Sequence, residues 1–180
     1  MAGHDVILRR VLTRLQEYNA TVRVDKCVIG APEVEFKGHR ISAADIWPLQ
    51  SNVQGIMDLP TPAKQLLRWI CTAEYYMKFV PSFAEIVSPL RDLLKQDTVW
   101  AWTFECKNAF DRQKKMISEP PVLAHLDVDA TTVVSCDASG TAVGECLSQV
   151  KGGVERSVAF ASRARSAAER KYSVSEREAL

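Results

Sequence analysis

Little net charge and no long apolar run are found in this chain of 180 residues. Its 23 basic and 22 acidic residues leave a net charge of +1, so the overall basic excess of many nucleic-acid-binding domains is missing, although a local basic face is compatible with it. No stretch approaches the roughly 18 apolar residues of a membrane span, and Arg9, Arg10 and Arg14 interrupt the first apolar segment. We expect an intracellular protein without a signal peptide or transmembrane segment, and the sequence does not distinguish cytoplasm from nucleus.

The cysteines lack the pattern of a disulfide framework or a zinc site. There are five, an odd number, and no two have Cys-x-x-Cys spacing. We therefore predict free thiols at Cys27, Cys71, Cys106, Cys136 and Cys146.

The first third of the chain reads as a helix followed by a hairpin. Apolar residues at helical spacing predict an amphipathic helix over residues 4–19. Two β-like runs follow, at residues 21–24 and in the alternating segment 34–41, with a turn predicted at residues 30–32.

Helices are predicted for the middle of the chain. Thr61 and Pro62 suit the start of one helix, which Pro81 ends. Ser82 and Glu85 have the spacing of a capping box for the next. Thr103 suits the N-cap of a third, which ends before residues 120–121. The residues predicted to face the core of the second helix are Phe83, Ile86, Val87, Leu90 and Leu94, and those of the third are Phe104, Phe110, Gln113 and Ile117.

From residue 122 onward the pattern changes to strands. We predict strands at residues 131–137, 142–149 and 156–161, separated by turns at residues 138–140 and 151–153. A helix is expected to start near residue 174, because Ser173 with Glu176 and Ser175 with Glu178 both have capping-box spacing. The fold class is therefore α+β.

Two carboxylates could belong to a metal site. Asp137 ends a β-branched strand, and Glu178 lies just inside the predicted last helix. A metal-dependent nuclease uses carboxylates from neighbouring elements to bridge two divalent ions, and Mg²⁺ favours such oxygen ligands.

Simpler interpretations of both acids stay open. The sequence Asp-Ala-Ser-Gly is also a common turn in which the carboxylate bonds its own backbone, and Glu178 could be a first-turn glutamate favoured by the helix dipole. The residues do not match an aspartic protease, because Gly140 is one position too far along, nor a phosphoaspartate hydrolase, because Ser139 replaces the second acid. Glu145 would be costly inside the sheet, so we expect it on the exposed face.

Other candidate residues are individually weak. Lys64, Arg68, Lys78, Arg91 and Lys95 lie among the predicted helices and could contact phosphates. They could equally form a solvated face. A lone His39 in an alternating strand is more often structural than a ligand.

Several runs of residues, taken in order, resemble the pol polyprotein of gypsy-type LTR retrotransposons. They include Lys26-Cys27-Val28-Ile29-Gly30 leading to Val34-Glu35-Phe36-Lys37-Gly38-His39; Tyr75-Tyr76-Met77-Lys78-Phe79-Val80-Pro81; Cys136-Asp137-Ala138-Ser139 with Ala142-Val143-Gly144; and Tyr172-Ser173-Val174-Ser175-Glu176-Arg177-Glu178-Ala179-Leu180. The resemblance covers nearly the whole chain, with Lys37 standing where the family usually has Leu.

The resemblance implies three segments and a set of roles. Residues 1–47 would be the end of a reverse transcriptase palm, 48–121 the thumb and connection helices, and 122–180 the first half of a ribonuclease H-like domain with a three-stranded antiparallel sheet and the start of a helix. Asp137 and Glu178 would be catalytic and would bind Mg²⁺. The nucleic-acid-binding residues would be Phe36, Lys37, Gly38 and His39 in the segment that holds the primer terminus, together with Lys64, Arg68 and Lys78.

The expected function is that of a fragment of an RNA-directed DNA polymerase and ribonuclease H. The resemblance implies a parent enzyme that binds primer–template or an RNA–DNA hybrid and cleaves the RNA strand with Mg²⁺. The polymerase Tyr-x-Asp-Asp turn and the later ribonuclease H aspartates are not in this sequence, so we expect the chain alone to be inactive. The alternative is a non-catalytic remnant that binds nucleic acid or a protein partner.

Overall fold

The computed structural model describes residues 2–62 and 65–178, with the backbone alone for Ala2, Arg177 and Glu178. The chain divides into two compact units, one up to Val34 and one from Glu35 onward. No helix in the described ranges is long and apolar enough to cross a membrane.

The first unit contains helix α1 (Ala2–Glu17) and a short 3₁₀ turn, Val24–Lys26. The helix agrees with the predicted one, but the strand predicted at residues 21–24 is wrong. Local bonds fold this segment into a turn, because the Cys27 N–H donates to the Val24 carbonyl at 3.1 Å and the Cys27 thiol donates to the Arg23 carbonyl.

A four-stranded sheet begins the second unit, in the order β1-β2-β3-β4. Its strands are β1 (Glu33–Phe36), β2 (His39–Ser42), β3 (Asp45–Pro48) and β4 (Leu123–Ala124). The prediction of one continuous strand over residues 34–41 is wrong, because the chain reverses at Lys37 and Gly38, which both have positive φ. Alternating residues flank a two-residue turn as readily as they fill one strand.

Helices occupy the chain between β3 and β4. They are α2 (Gln50–Met57), α3 (Leu66–Glu74), α4 (Phe83–Asp92) and α5 (Phe104–Ser118), with a 3₁₀ turn at Met77–Phe79. Helix α2 was not predicted. Helix α3 starts at Leu66, so the predicted start at Thr61 and Pro62 is wrong; both residues lie outside the helix.

The main core lies among these helices. Its largest fully buried side chains include Phe79, Phe83, Leu90 and Ile117. All the predicted core residues of α4 and α5 are buried except Leu94 and Phe104, which are exposed. Burying aromatic side chains of this size removes large apolar areas from water and is the main stabilising term of such a core.

The second sheet is antiparallel in the order β5-β6-β7. Its strands are β5 (Thr131–Ala138), β6 (Ala142–Lys151) and β7 (Val154–Ala164), close to the three predicted strands. Helix α4 packs against β6 and β7, and Phe160 joins the helical core. Helix α6 (Val174–Glu178) follows and lies against β5.

Two helix N-termini are capped in different ways, α5 by the residue before it and α4 by a neighbouring strand. Thr103 caps α5 as predicted, accepting from the Cys106 N–H at 3.3 Å. The capping box predicted for Ser82 is wrong: Ser82 has left-handed backbone angles and makes no side-chain cap bond. The Ala84 N–H instead donates to the Ser162 hydroxyl of β7, at 2.9 Å.

We expect Ser162→Ala to lower the free energy of unfolding by about 1 kcal/mol, because it leaves a helix N–H without its acceptor. The matched control is Ser82→Ala, which should change stability by less than about 0.5 kcal/mol. Urea unfolding followed by circular dichroism measures both. A larger loss for Ser82→Ala than for Ser162→Ala would contradict the cap seen in the structure.

Candidate functional site

The turn between β1 and β2 is the most constrained part of the backbone near the candidate residues. Lys37 has φ of 45° and Gly38 has φ of 70°. Positive φ at both central residues is the geometry of a two-residue hairpin turn of the primed kind. Gly38 adopts this geometry without steric cost. Lys37 also adopts it, but its Cβ makes the conformation unfavourable.

Contacts from two other segments hold this turn. The Lys37 carbonyl accepts hydrogen bonds from the Tyr75 hydroxyl and from His39 Nδ1, the latter at 2.7 Å. The Leu49 N–H donates to the Gly38 carbonyl at 2.8 Å. A Cβ at Gly38 would lie 2.7 Å from Asn52 Nδ2, so any other residue would require the Asn52 side chain to shift.

His39 lies in an aromatic cage beneath the turn. Its ring centroid is 5.4 Å from that of Tyr75, 6.0 Å from Tyr76 and 5.6 Å from Phe79. Burial lowers the pKa of His39, and the charge of Lys78 lowers it further. Burial also lowers the pKa of Lys78. The lowered pKa favours the neutral imidazole. The ring contacts give His39 a structural role, as expected for a lone histidine in an alternating segment.

The remaining predicted binding residues lie in different surroundings. Phe36 and Lys37 are exposed on the hairpin, and the Lys37 ammonium lies 5.5 Å from the Phe36 ring centroid. A groove of about 350 Å³ next to the turn is bordered by Lys37, Gly38, Asn52, Ile56, Thr72, Tyr75 and Tyr76. Arg68 borders another cavity, of about 530 Å³. Lys64 lies outside the described residues.

Asp137 is exposed near the end of β5, where it pairs with Gly144 of β6. The following turn is organised by Ser139, whose hydroxyl accepts from the Ala142 N–H at 3.1 Å and from the Thr141 N–H at 3.3 Å. The turn interpretation of the sequence gave that role to the Asp137 carboxylate. In the described part of the chain no group donates a hydrogen bond to this carboxylate, so its oxygens are available to a ligand.

Helix α6 contains the backbone of the second predicted acid, Glu178. The helix lies against β5, and its capping box forms as predicted: the Ser173 N–H donates to the Glu176 carboxylate at 2.8 Å, and the Glu176 N–H donates back to the Ser173 hydroxyl at 3.4 Å. The hydrogen bonds from Ser173 lower the pKa of Glu176. The Glu178 side chain lies outside the described residues.

The Asp137 carboxylate is the kind of donor that a divalent metal ion binds. An exposed carboxylate is a hard oxygen ligand of the type Mg²⁺ takes. Within residues 2–62 and 65–178, no group of three or more His, Cys, Asp or Glu residues could hold a metal ion. Glu145 is exposed on β6, as expected.

Several residues of these sites were not predicted. Tyr75 entered only through the resemblance, since a Tyr-Tyr pair alone gives no signal of a bond to a carbonyl 38 positions earlier. The Lys-Gly pair between alternating residues was a usable turn signal. Arg165 is buried to 3% exposure; it donates to the Ser139 carbonyl at 2.8 Å and so supports the turn after Asp137.

Comparison with known proteins shows which family model and which solved structures this chain is similar to. Residues 102–180 match the model of the RNase H-like domain found in reverse transcriptase. The chain has the fold of part of foamy viral protease-reverse transcriptase, which confirms the predicted α+β class. The TM-score is 0.80 against its dRH form in complex with double-stranded DNA and 0.77 against its complex with an RNA/DNA hybrid. Each match has 23% identity over 98% of this chain, and covers 31% and 24% of those chains.

The particular relatives are transposon polyproteins. The chain is similar to the Tf2-3 and Tf2-4 polyproteins of Schizosaccharomyces pombe, at 32% identity over 176 residues. The match covers 96% of this chain and 13% of each polyprotein. The predicted relation to retroelement reverse transcriptases is confirmed at this level, and the narrower assignment to gypsy-type elements stays a prediction.

Gly38→Ala is expected to lower the free energy of unfolding by about 2 kcal/mol, because it forces a side chain into left-handed backbone and against Asn52. Gly140→Ala is the control, since a Cβ there meets nothing within 4 Å, and it should change stability by less than about 0.5 kcal/mol. Thermal and urea unfolding measure both. Equal effects of the two substitutions would argue against the tight approach at Gly38.

His39 is expected to make the fold less stable as the pH falls below its ordinary pKa of about 6.5. Because its folded pKa is lowered, the unfolded chain binds the proton more readily, and the free energy of unfolding falls from that value down to the folded pKa. Glu169 titrates in a lower range, because the hydrogen bond from Arg163 lowers its pKa to about 2.

Urea unfolding at several pH values between about 7 and 5 tests this. His39→Asn should flatten the dependence, whereas His4→Asn, at an exposed site in α1, should leave it as in the unmodified chain. A dependence that persists in His39→Asn would assign it to another group.

Proposed function

We propose that this chain is part of a retroelement reverse transcriptase and ribonuclease H that binds an RNA–DNA hybrid and contributes Asp137 and Glu178 to a Mg²⁺ site that cleaves the RNA strand. The observation that carries this proposal is the Asp137 carboxylate. It is exposed and unpaired among the described residues, Ser139 performs the turn role it would otherwise have, and α6 lies against the same strand.

The chemistry assigned to Asp137 is that of a metal ligand. Mg²⁺ ions, when bound, would activate the attacking water and stabilise the leaving 3′ oxygen. The Asp137 carboxylate would be held in place, because its strand is paired along its length with β6. Arg165 and Ser139 also fix the turn that follows. Glu178 would supply the second carboxylate.

The β1–β2 turn supports the nucleic-acid part of the proposal. Lys37 is exposed at the turn of a hairpin that hydrogen bonds hold in place, between Phe36 and Gly38 in the sequence. Related solved structures contain double-stranded DNA or an RNA/DNA hybrid. We assign Phe36, Lys37, Gly38, His39, Lys64, Arg68 and Lys78 to a nucleic-acid-binding surface, with His39 acting through the backbone it supports.

The segment boundaries belong to the same proposal. Residues 1–47 would be the end of the palm, 48–121 the thumb and connection, and 122–180 part of the ribonuclease H-like domain. The chain spans 13% of the length of the curated polyproteins it matches, so the activity and partners of the whole protein are proposed here by similarity.

A second candidate function is binding without cleavage. The cationic hairpin favours it, because Lys37 needs no metal ion to contact a phosphate. In this case the chain would hold a hybrid or duplex, and Asp137 would have no role in affinity.

Hybrid binding with and without Mg²⁺ separates the two candidates. We expect the unmodified chain to bind an RNA–DNA hybrid more tightly in Mg²⁺ than in EDTA, Asp137→Asn to lose this gain, and Asp129→Asn, at an exposed loop carboxylate, to keep it. Filter binding at fixed ionic strength measures it. A gain that survives in Asp137→Asn would remove Asp137 from the metal site and favour binding alone.

We expect no detectable cleavage of the hybrid by the 180-residue chain in Mg²⁺, because two carboxylates rarely suffice for a two-metal site. Gel analysis of labelled RNA in the hybrid measures it. Turnover that Asp137→Asn abolishes would overturn this expectation.

A further inference from the structure

Lys37 combines an unfavourable backbone conformation with an ammonium group that no described carboxylate pairs with. It is one of three residues other than glycine that have positive φ in the described part of the chain. Such a conformation is costly for a side chain with a Cβ and persists only where the surroundings fix it. No carboxylate among the described residues forms an ion pair with its ammonium group.

The surroundings that fix Lys37 act on its carbonyl oxygen. The Tyr75 hydroxyl and His39 Nδ1 both donate to this one atom. His39 is a neighbour in the hairpin, whereas Tyr75 follows α3 and is 38 residues away. Tyr75 therefore ties the tip of the hairpin to the end of α3, as the Leu49 N–H ties it to the start of α2.

We infer that Tyr75 is a positioning residue that holds Lys37 so that its ammonium group contacts a backbone phosphate of the bound nucleic acid. The inference rests on the proposed nucleic-acid binding and adds to it a particular phosphate contact and the residue that fixes it. Ordering the turn before binding removes the entropy cost of ordering it during binding.

Tyr75 can be altered without disturbing its packing. Its ring is half-exposed and lies 5.1 Å from that of Tyr76. Tyr75→Phe keeps these ring contacts and removes only the donor to Lys37. Tyr18→Phe, at an exposed tyrosine that directly follows α1, is the matched control.

A double-mutant cycle of Lys37→Gln and Tyr75→Phe, measured as hybrid binding in EDTA against salt concentration, tests the inference. Lys37→Gln should weaken binding roughly two- to fivefold and make the slope of log K against log salt less steep by about 0.9. Tyr75→Phe should reproduce part of both changes in the unmodified chain and neither in the Lys37→Gln chain. Tyr18→Phe should bind as the unmodified chain does.

A second measurement reports the turn itself. The Leu49 N–H donates to the Gly38 carbonyl, so its hydrogen exchange reports opening of the turn. Loss of one hydrogen bond in Tyr75→Phe should accelerate this exchange roughly five- to tenfold.

The outcomes separate the inference from the proposed function. Binding by the unmodified chain together with no effect of Tyr75→Phe, or with an equal effect in both backgrounds, would overturn the positioning role and leave nucleic-acid binding intact. Absence of any salt-dependent binding by the unmodified chain would overturn both.

Discussion

One hydrophobic core supports both candidate sites. Phe79 and Phe83 are completely buried at its centre. On one side the Phe79 ring lies 5.6 Å from His39, directly beneath the hairpin turn. On the other side Phe160 of β7 packs against the same cluster, and β7 belongs to the sheet that carries Asp137. Because protein interiors are close-packed and resist deformation, this core fixes the hairpin and the sheet in one rigid arrangement within the second unit.

Several arginines form ion pairs with nearby carboxylates, in a chain whose net charge is close to zero. Arg91 pairs with Glu74, Arg163 with Glu169 and Arg156 with Asp45, so these arginines are largely neutralised by their own neighbours. Lys37 differs, since no described carboxylate pairs with it. A net charge of +1 therefore says little about binding, because the distribution of unpaired charge determines which surface attracts a phosphate.

Elements with a strong local signal were predictable from the sequence. The Thr103 cap, the capping box of Ser173 with Glu176 and the strands after residue 130 depend on residues within a few positions of one another. The errors arose where a distant residue decides the outcome. Ser82 has the expected cap sequence, but Ser162 supplies the acceptor; the segment 34–41 alternates like a strand, but Leu49 and Tyr75 fix a turn inside it.

The sequence predicted some features of the candidate sites and missed those that depend on other residues. Asp137 was identified from its place at a strand end and from the resemblance. That its carboxylate takes no part in the turn could not be predicted, because Ser139 accepts the hydrogen bonds of the turn. The hairpin residues were identified as a group through the resemblance. Single-sequence reasoning could not assign a role to Tyr75, because its partner is a backbone carbonyl and any residue type offers one.

The hydrogen bond between Ala84 and Ser162 joins positions separated by 78 residues. During synthesis on the ribosome the amino-terminal part emerges first, so the acceptor for the first turn of α4 is made 78 residues after its donor. Contacts this far apart in sequence slow folding, because a long loop must close before they form. Helix α4 therefore gains this cap only once β7 has packed against it.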